Sequence, residues 1–509
     1  MSTTGSRTSD VSTRKRYAAG VLSGLATLMA LAATGAGQSQ QSSENFGRMF
    51  RLPPFAPPTP DITAALLTLG RRGGLMDAHD EISAGPLALI VDPSLSRNNR
   101  DNDEHTAGVT FLGQFLDHDM TFDTTSRLGE PTNPRTAPNA RRPYFDLDSV
   151  YGDGPAGSPL LYDPDDRAKF RLEWGGRFED LPRDASGRAI IADPRNDENV
   201  VIAGLQIALL RFHNQIVDLI RQNHPGLSTD DVFREARRQA AWHYQWLILH
   251  EILPLFVGPG MADRVMASGP RFYSPSIGEA VIPVEFQIVY RFGHSMVRPS
   301  YRANFTGDNG EPFFAMVFDA NAGAGEPDDL RGGLRSPRRF VGWQTFFRFP
   351  GFESDVRPNK RIDTKLSSPL FDLPLGIIPT GAPPTSLAQR NLLRHLTWQL
   401  PSGQAIAAAI GAPVLPESDL AELRPIHPQF VTSTPLWYYV LKEAEVVEDG
   451  RHLGPVGGRI VAEVFVGLLR ADRDGYLANQ PDFTPWLGRI PGSFLMIDLL
   501  ELAGVADKR

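Results

Sequence analysis

The chain has 509 residues, 41% of them hydrophobic and 22% charged, and a net charge of −8. This describes a folded, soluble chain with a large core, and its charge gives no support for a nucleic-acid partner, which would want a basic face. Cysteine is absent, so disulfide and thiolate chemistry are excluded, and the histidines number only 11, few enough to follow one by one.

Arg14-Lys15-Arg16 precedes an uncharged run of small and apolar residues from Tyr17 to Gly37. Thr34 and Ala36 suit a small-residue cleavage site, so residues 1–36 read as a secretory signal peptide of the bacterial kind. The expected location is secreted or periplasmic, with no stable membrane insertion once the signal is removed. Residues 37–60 read as a linker and a proline-rich arm. The arm, Phe46 to Pro60, is too rich in proline for a helix and is expected to lie extended on the surface. Residues 61–509 form the remaining domain, opening with a short helix that Asp61 would cap and Gly70 would end. Asp101 and Asp103 suggest a cation loop, although no glutamate stands downstream at EF-hand spacing.

The segment FLGQFLDHDMTFD, residues 111–123, organises the rest of the chain. Read as a helix, it sets Gln114, Asp117 and His118 on one side of an apolar scaffold, with Asp119 facing another way. Such polar groups in an apolar setting fit a functional site, or a buried histidine with ordinary hydrogen bonds. In RRPYFDLDSVYGDG, residues 141–154, Asp146 and Asp148 alternate with Phe145 and Leu147. Alternation puts both carboxylates on one side of an extended chain, as a hard cation requires, or as a surface turn would show them. Arg195 and Glu198 stand just before a long apolar helix that starts near Val200. A second long helix runs from Ser228 to about Phe256. His213, His243 and His250 read as packing histidines. Residues 284–299, VEFQIVYRFGHSMVRP, read as a further buried helix carrying Tyr290, Arg291 and His294. No P-loop, dinucleotide fingerprint, GxSxG or HExxH motif is present. The fold class expected is mainly α, with long loops and few short strands.

Five segments, GQFLDHD, YFDLDSVYG, PRNDEN, YRFGH and RNLLR, resemble in this order the animal-type haem peroxidases of the peroxidase–cyclooxygenase superfamily. Its mammalian members include myeloperoxidase and lactoperoxidase; the signal peptide and the lack of cysteine suggest a prokaryotic branch. The resemblance covers residues from about 105 to 405 and implies a single large helical haem-peroxidase domain. It implies haem b, with His294 as the iron ligand, Asn391 as its hydrogen-bond partner and Arg291 near a propionate. His118, Arg195 and Gln114 would be the distal catalytic residues. Asp117 and Glu198 would form ester bonds to haem methyls. Asp119, Tyr144 through its carbonyl, Asp146 and Asp148 would bind calcium. Two positions depart from the family. Arg142 stands where a ligating Thr is usual, and Asn199 stands where myeloperoxidase has a Met bonded to a haem vinyl, so that third link should be absent. The activity implied is reduction of hydrogen peroxide with oxidation of halides, thiocyanate or small organic donors, in keeping with a role in the oxidative-stress response. The alternative is a fatty-acid dioxygenase, which uses a Tyr-x-x-His spacing. Tyr290 and His294 are one residue further apart than that.

Overall fold

The computed structural model describes residues 45–175, 178–307, 310–320, 329–335, 338–378 and 380–506. The expected signal peptide lies outside the described residues. The helices that bear on the site are α1 (Pro60–Leu69), α2 (Ala107–Met120), α3 (Val200–Asn223), α4 (Thr229–Leu247), α5 (Val284–Val289), α6 (Leu387–Thr397), α7 (Leu436–Val447) and α8 (Pro455–Ala471). Strands among the described residues are short: β1 (Asp101–Thr106), β2 (Glu173–Gly175), β3 (Phe178–Asp180), β4 (Ser300–Arg302), β5 (Phe314–Met316) and β6 (Pro358–Lys360). They pair antiparallel as β1–β6, β2–β3 and β4–β5. The fold is mainly α, as the sequence implies.

Helix α3 is central because its first half is apolar on every face. Val200 to Leu210 are all buried, and α3 packs against both α2 and α4. Asn199 starts it, its side-chain oxygen accepting the backbone N–H groups of Val201 and Ile202 at 2.8 and 3.2 Å. Helix α2 is drawn close to its neighbours by glycine. A Cβ on Gly108 would lie 2.5 Å from the Phe347 ring. The long helix after Ser228 is interrupted by a wider π turn at Ile248–Ile252. Pro254 comes directly after Leu253; it has no N–H for the regular ladder, and the wider turn accommodates this. The packing histidines behave as expected: His213 bonds the Tyr151 hydroxyl and the Ala168 carbonyl, His243 bonds the Gln239 carbonyl, and His250 stacks on Trp246.

Four local expectations need correction. The proline-rich arm is part of the core: Phe46, Phe50 and Phe55 are buried. Proline removes helix donors there, but the aromatic residues still seek apolar partners. The arm's free N–H groups find the carbonyls of Ala137, Ile282 and Leu400. Helix α1 is capped by Thr59, which accepts from the Ile62 N–H, rather than by Asp61. Asp61 instead pairs with His427 at 2.9 Å. Asp101 belongs to a strand, and its carboxylate meets Arg298 at 2.7 Å and Lys360 at 2.8 Å, so side chains supply the cations there. The helix over 284–299 is short: α5 tightens into a 3₁₀ turn at Tyr290–His294 and ends. Gly293 within the turn and Pro299 beyond it both work against a longer α-helix.

Phe55 packs edge-on against His395, with ring centroids 5.8 Å apart, and against Phe430. Phe55→Ala should therefore cost about 3–5 kcal/mol, as for a core phenylalanine, read as a lower midpoint in urea denaturation. A surface arm would give a change within about 0.5 kcal/mol.

Candidate active site

The C-terminal half of α2 carries Gln114, Asp117 and His118 toward the 3₁₀ turn Pro194–Asp197 that precedes α3. His118 Nδ1 lies 2.9 Å from Asn196 Oδ1, and its Nε2 lies 3.3 Å from Glu198 Oε1. Gln114 donates its amide to the same Glu198 oxygen. Asp117 accepts from the Thr121 hydroxyl at 3.2 Å. Arg195 forks onto Asp193, at 3.0 and 2.8 Å, and donates to the backbone carbonyl of His118 at 3.0 Å. Its guanidinium also lies 4.2 Å over the Phe122 ring. The arginine is thus locked in place beside His118, not on its imidazole. Asp193 is fully buried and also pairs with Arg141 at 3.1 Å. Burial pushes the Asp193 carboxyl up, but the hydrogen bonds and charge of Arg195 outweigh it and hold the group below the usual range.

The facing wall is the turn Tyr290–His294, against which α2 packs. The Tyr290 hydroxyl donates to the Gly113 carbonyl on α2 at 3.0 Å. His294 Nδ1 lies 2.7 Å from the Asn391 amide on α6. As placed, the nitrogen of that amide faces His294 while Asn391 Oδ1 has no partner. Exchanging the two ends, which an amide's outline permits, lets Nδ1–H donate to Oδ1 and leaves Nε2 with a free lone pair. Burial and the Arg291 charge push His294 down to about 3, so its ring is neutral at physiological pH, as a metal ligand must be. Arg291 is pushed down to about 10, by burial and by the charge of Arg394, and its Nε has no partner. A Cβ added at Gly293 would meet nothing within 4 Å. Gln114, Asp117, Arg195, Glu198, Arg291 and His294 are all part-exposed within buried surroundings, the signature of a cleft between the two walls.

Asp119, next to His118, turns the other way and is fully buried. It accepts from the Leu147 N–H at 3.1 Å and the Ser149 hydroxyl at 2.9 Å. Leu147 adopts a left-handed φ of 59°, which folds the loop back so that Asp146 and Asp148 join Asp119, with ligand oxygens all within 4.8 Å. Burial and the neighbouring carboxylates raise Asp119 well above its usual range and push Asp148 up to about 7. Asp148 Oδ1 has no partner. Arg142, half exposed, pairs with Asp146 at 2.8 Å and takes no ligand position. Tyr144 accepts the Ala280 N–H on its hydroxyl at 3.3 Å.

Sequence reasoning missed Asn196, Gln206, Asp193 and Arg141. Gln206 carried a usable signal, a lone amide inside VVIAGLQIALL, where a buried polar group demands a partner. Asn196 and Asp193 flank Arg195 in an irregular turn, where no periodicity tells which side chains point inward.

The family model for animal haem peroxidase matches residues 123–321, a span that holds Arg195, Glu198, Arg291, His294 and the acidic loop. Relatives include Dual oxidase of Drosophila melanogaster, 30% identical over 22% of this chain and 7% of that one. Human eosinophil peroxidase is 28% identical over 22% of this chain and 15% of that one; human thyroid peroxidase is 25% identical over 33% and 20%. The chain therefore spans no more than a fifth of the length of these three relatives. Among solved structures, peroxidase A from Dictyostelium discoideum superposes with a TM-score of 0.53 at 16% identity, over 81% of this chain and 84% of that one. Oryza sativa fatty acid alpha-dioxygenase superposes with a TM-score of 0.58 at 14% identity, over 91% and 79%. Over the matched segment, residues 123–321, the chain is similar to the animal haem peroxidases. The residues present fit the haem that the family name implies: a neutral imidazole backed by the Asn391 amide, a buried guanidinium nitrogen without a partner and open space at Gly293.

Removing Asp193 leaves Arg141 and Arg195 without their shared buried carboxylate. Asp193→Ala should lose about 3–5 kcal/mol, measured by chemical denaturation. Because the folded carboxyl titrates below its unfolded value of 3.8, its stabilising effect is complete above that pH and fades as the pH falls through the folded value. The gap between wild type and variant should therefore narrow in acid.

Proposed function

We propose that this chain is a haem peroxidase that reduces hydrogen peroxide and oxidises halides, thiocyanate or small aromatic donors. The observation that carries this reading is a pair of histidines on segments that pack together, His118 on α2 and His294 in the turn Tyr290–His294. His294 is backed by Asn391, and His118, held through Nδ1 by Asn196, turns Nε2 toward the part-exposed Glu198. Haem, when bound, supplies the oxidising chemistry. The chain's own residues do the rest. His294 Nε2 would hold the iron, with Nδ1–H donated to Asn391 to enrich the ring in electrons. His118 Nε2 would take a proton from peroxide and return it to the departing oxygen, acting as base and then as acid. Arg195, fixed by Asp193, is a stationary positive charge beside this exchange and favours negative charge on that oxygen. Gln114 offers an amide where a donor anion or water would sit. Arg291, whose Nε is unpaired, suits a propionate.

Asp117, on α2, and Glu198, just before α3, are both part-exposed beside His118. In the peroxidase reading they would be the residues that link haem, each carboxylate oxygen replacing one hydrogen of a haem methyl while hydrogen peroxide is reduced to water. Asn199 spends its side chain on capping α3, and no sulfur stands there for a further link. The acidic loop suits calcium, since Asp119, Asp146 and Asp148 offer oxygen donors and Asp148 keeps one unpaired. Export, read from residues 14–37, is consistent with an enzyme handling peroxide outside the cytoplasm.

The fatty-acid dioxygenase reading draws on the fold shared with the Oryza enzyme. Against it stands Tyr290, the tyrosine nearest His294 in sequence. Its hydroxyl is committed to Gly113, and its ring is stacked on Phe286 at 5.2 Å, so it is not presented to a substrate.

His294→Ala should abolish the Soret band of the reconstituted protein. His118→Ala should keep the band but slow the reaction with peroxide by roughly 10²–10⁴-fold in stopped-flow mixing. Oxygen uptake with linoleate, in place of peroxide-dependent bromide oxidation, would favour the dioxygenase reading instead. Metal analysis of purified protein should find about one calcium per chain, lost in Asp146→Asn. A fully active preparation without calcium would end that assignment.

A further inference from the structure

The distal histidine sits at the end of a buried relay that none of the recognised motifs accounts for. Asn196, fully buried, makes three polar contacts. Its Oδ1 meets His118 Nδ1 at 2.9 Å, and its Nδ2 faces Gln206 Oε1 at 2.9 Å and the Ser149 backbone carbonyl at 3.4 Å. The carbonyl decides the orientation. A backbone carbonyl only accepts, so the end of the amide that faces Ser149 is the NH₂ group. The oxygen must then face His118, and an oxygen there requires hydrogen on Nδ1.

We infer that Asn196 is the positioning residue that keeps the proton of neutral His118 on Nδ1, leaving the Nε2 lone pair free to receive a proton from substrate. This rests on the peroxidase reading of His118. One contact opposes it: Glu198 Oε1 lies 3.3 Å from Nε2 and would attract a proton to that nitrogen. The two acceptors are not equal. The Glu198 side chain is 33% exposed and its Oε1 already accepts from Gln114, so its charge is partly satisfied without His118. Asn196 is sealed in and held by two further partners, and an unmet Nδ1–Oδ1 contact there would leave two buried acceptors facing each other. Asn196 therefore wins. The other charged groups near His118 do not reach Nδ1. Arg195 holds the His118 carbonyl, Asp193 holds Arg195, Asp117 holds Thr121, and Asp119 turns to Leu147 and Ser149.

The relay has a second consequence. Ser149 donates its hydroxyl to Asp119, while its carbonyl orients Asn196. The acidic loop therefore reaches His118 by two routes, through the backbone of α2 and through Asn196. Gln206, on the first turns of α3, ties the same amide to the central helix.

The test uses the full chain labelled with ¹⁵N-histidine, haem-free, with the His118 signal assigned by its loss in His118→Gln. Long-range proton–nitrogen correlation reports which ring nitrogen carries hydrogen in the neutral ring. Wild type should give the Nδ1–H tautomer. Asn196→Ala should give a mixture or the Nε2–H form, and once haem is loaded its reaction with peroxide should slow roughly ten- to hundredfold. Asn196→Ala also strips a partner from Gln206, so Asn196→Asp serves as the second variant. It retains an acceptor at Nδ1, and Gln206 can turn its NH₂ to the second carboxylate oxygen, so Asn196→Asp should restore the Nδ1–H tautomer. An Nε2–H ring in wild type, or an unchanged tautomer in Asn196→Ala, overturns the inference. A normal peroxide rate in His118→Ala would instead sink the peroxidase role of His118 and leave the tautomer result standing.

Discussion

The site depends on two neighbouring residues on one buried helix that face opposite ways. His118 looks into the cleft; Asp119 looks into the acidic loop. Neither side chain is tolerable in an apolar interior without partners, and each recruits a different part of the chain to satisfy it. Asp119 collects the 146–149 loop, and His118 collects the turn before α3. The end of α2 is therefore fixed by polar bonds from two segments, on top of its apolar packing against α3. A histidine held this way keeps its ring where it stands, at no cost of reorganisation when a proton is exchanged.

Charge in this region is arranged so that arginines stabilise structure first and the cleft second. Arg141 and Arg195 converge on Asp193, and Arg142 lies on Asp146. Arg291, by contrast, keeps a buried Nε unpaired on the wall that carries His294. The wall that carries His118 is thus internally paired, while the opposite wall retains an unmet hydrogen-bond donor, at Arg291, for a ligand with anionic groups.

The architecture was legible in the sequence wherever periodicity was strong. The apolar run of α3 gave a central helix, and the GQFLDHD segment gave a helix with its polar groups on one side. The candidate site residues come from the resemblance, which points to Arg195, His294 and Asn391 in segments whose own patterns are weak. Three things were not legible. The burial of the 46–60 arm was hidden because proline content reports backbone conformation and says nothing of where Phe46 and Phe55 go. The end of the helix at His294 was hidden because the apolar residues of 284–299 continue past the point where backbone geometry changes. The Asn196 relay was hidden because its partners Ser149 and Gln206 lie 47 and 10 residues away, and one of them contributes a backbone carbonyl that no sequence pattern records.

If the two walls take haem between them, one histidine binds the iron and the other is held back from it. Resonance Raman spectroscopy of the ferrous, haem-reconstituted chain separates this arrangement from its alternatives. An iron–imidazole stretch from His294 in a five-coordinate, high-spin centre is expected, lost in His294→Ala and shifted in Asn391→Ala. A six-coordinate low-spin spectrum with both His118 and His294 on the iron, or an unchanged stretch in His294→Ala, would contradict it.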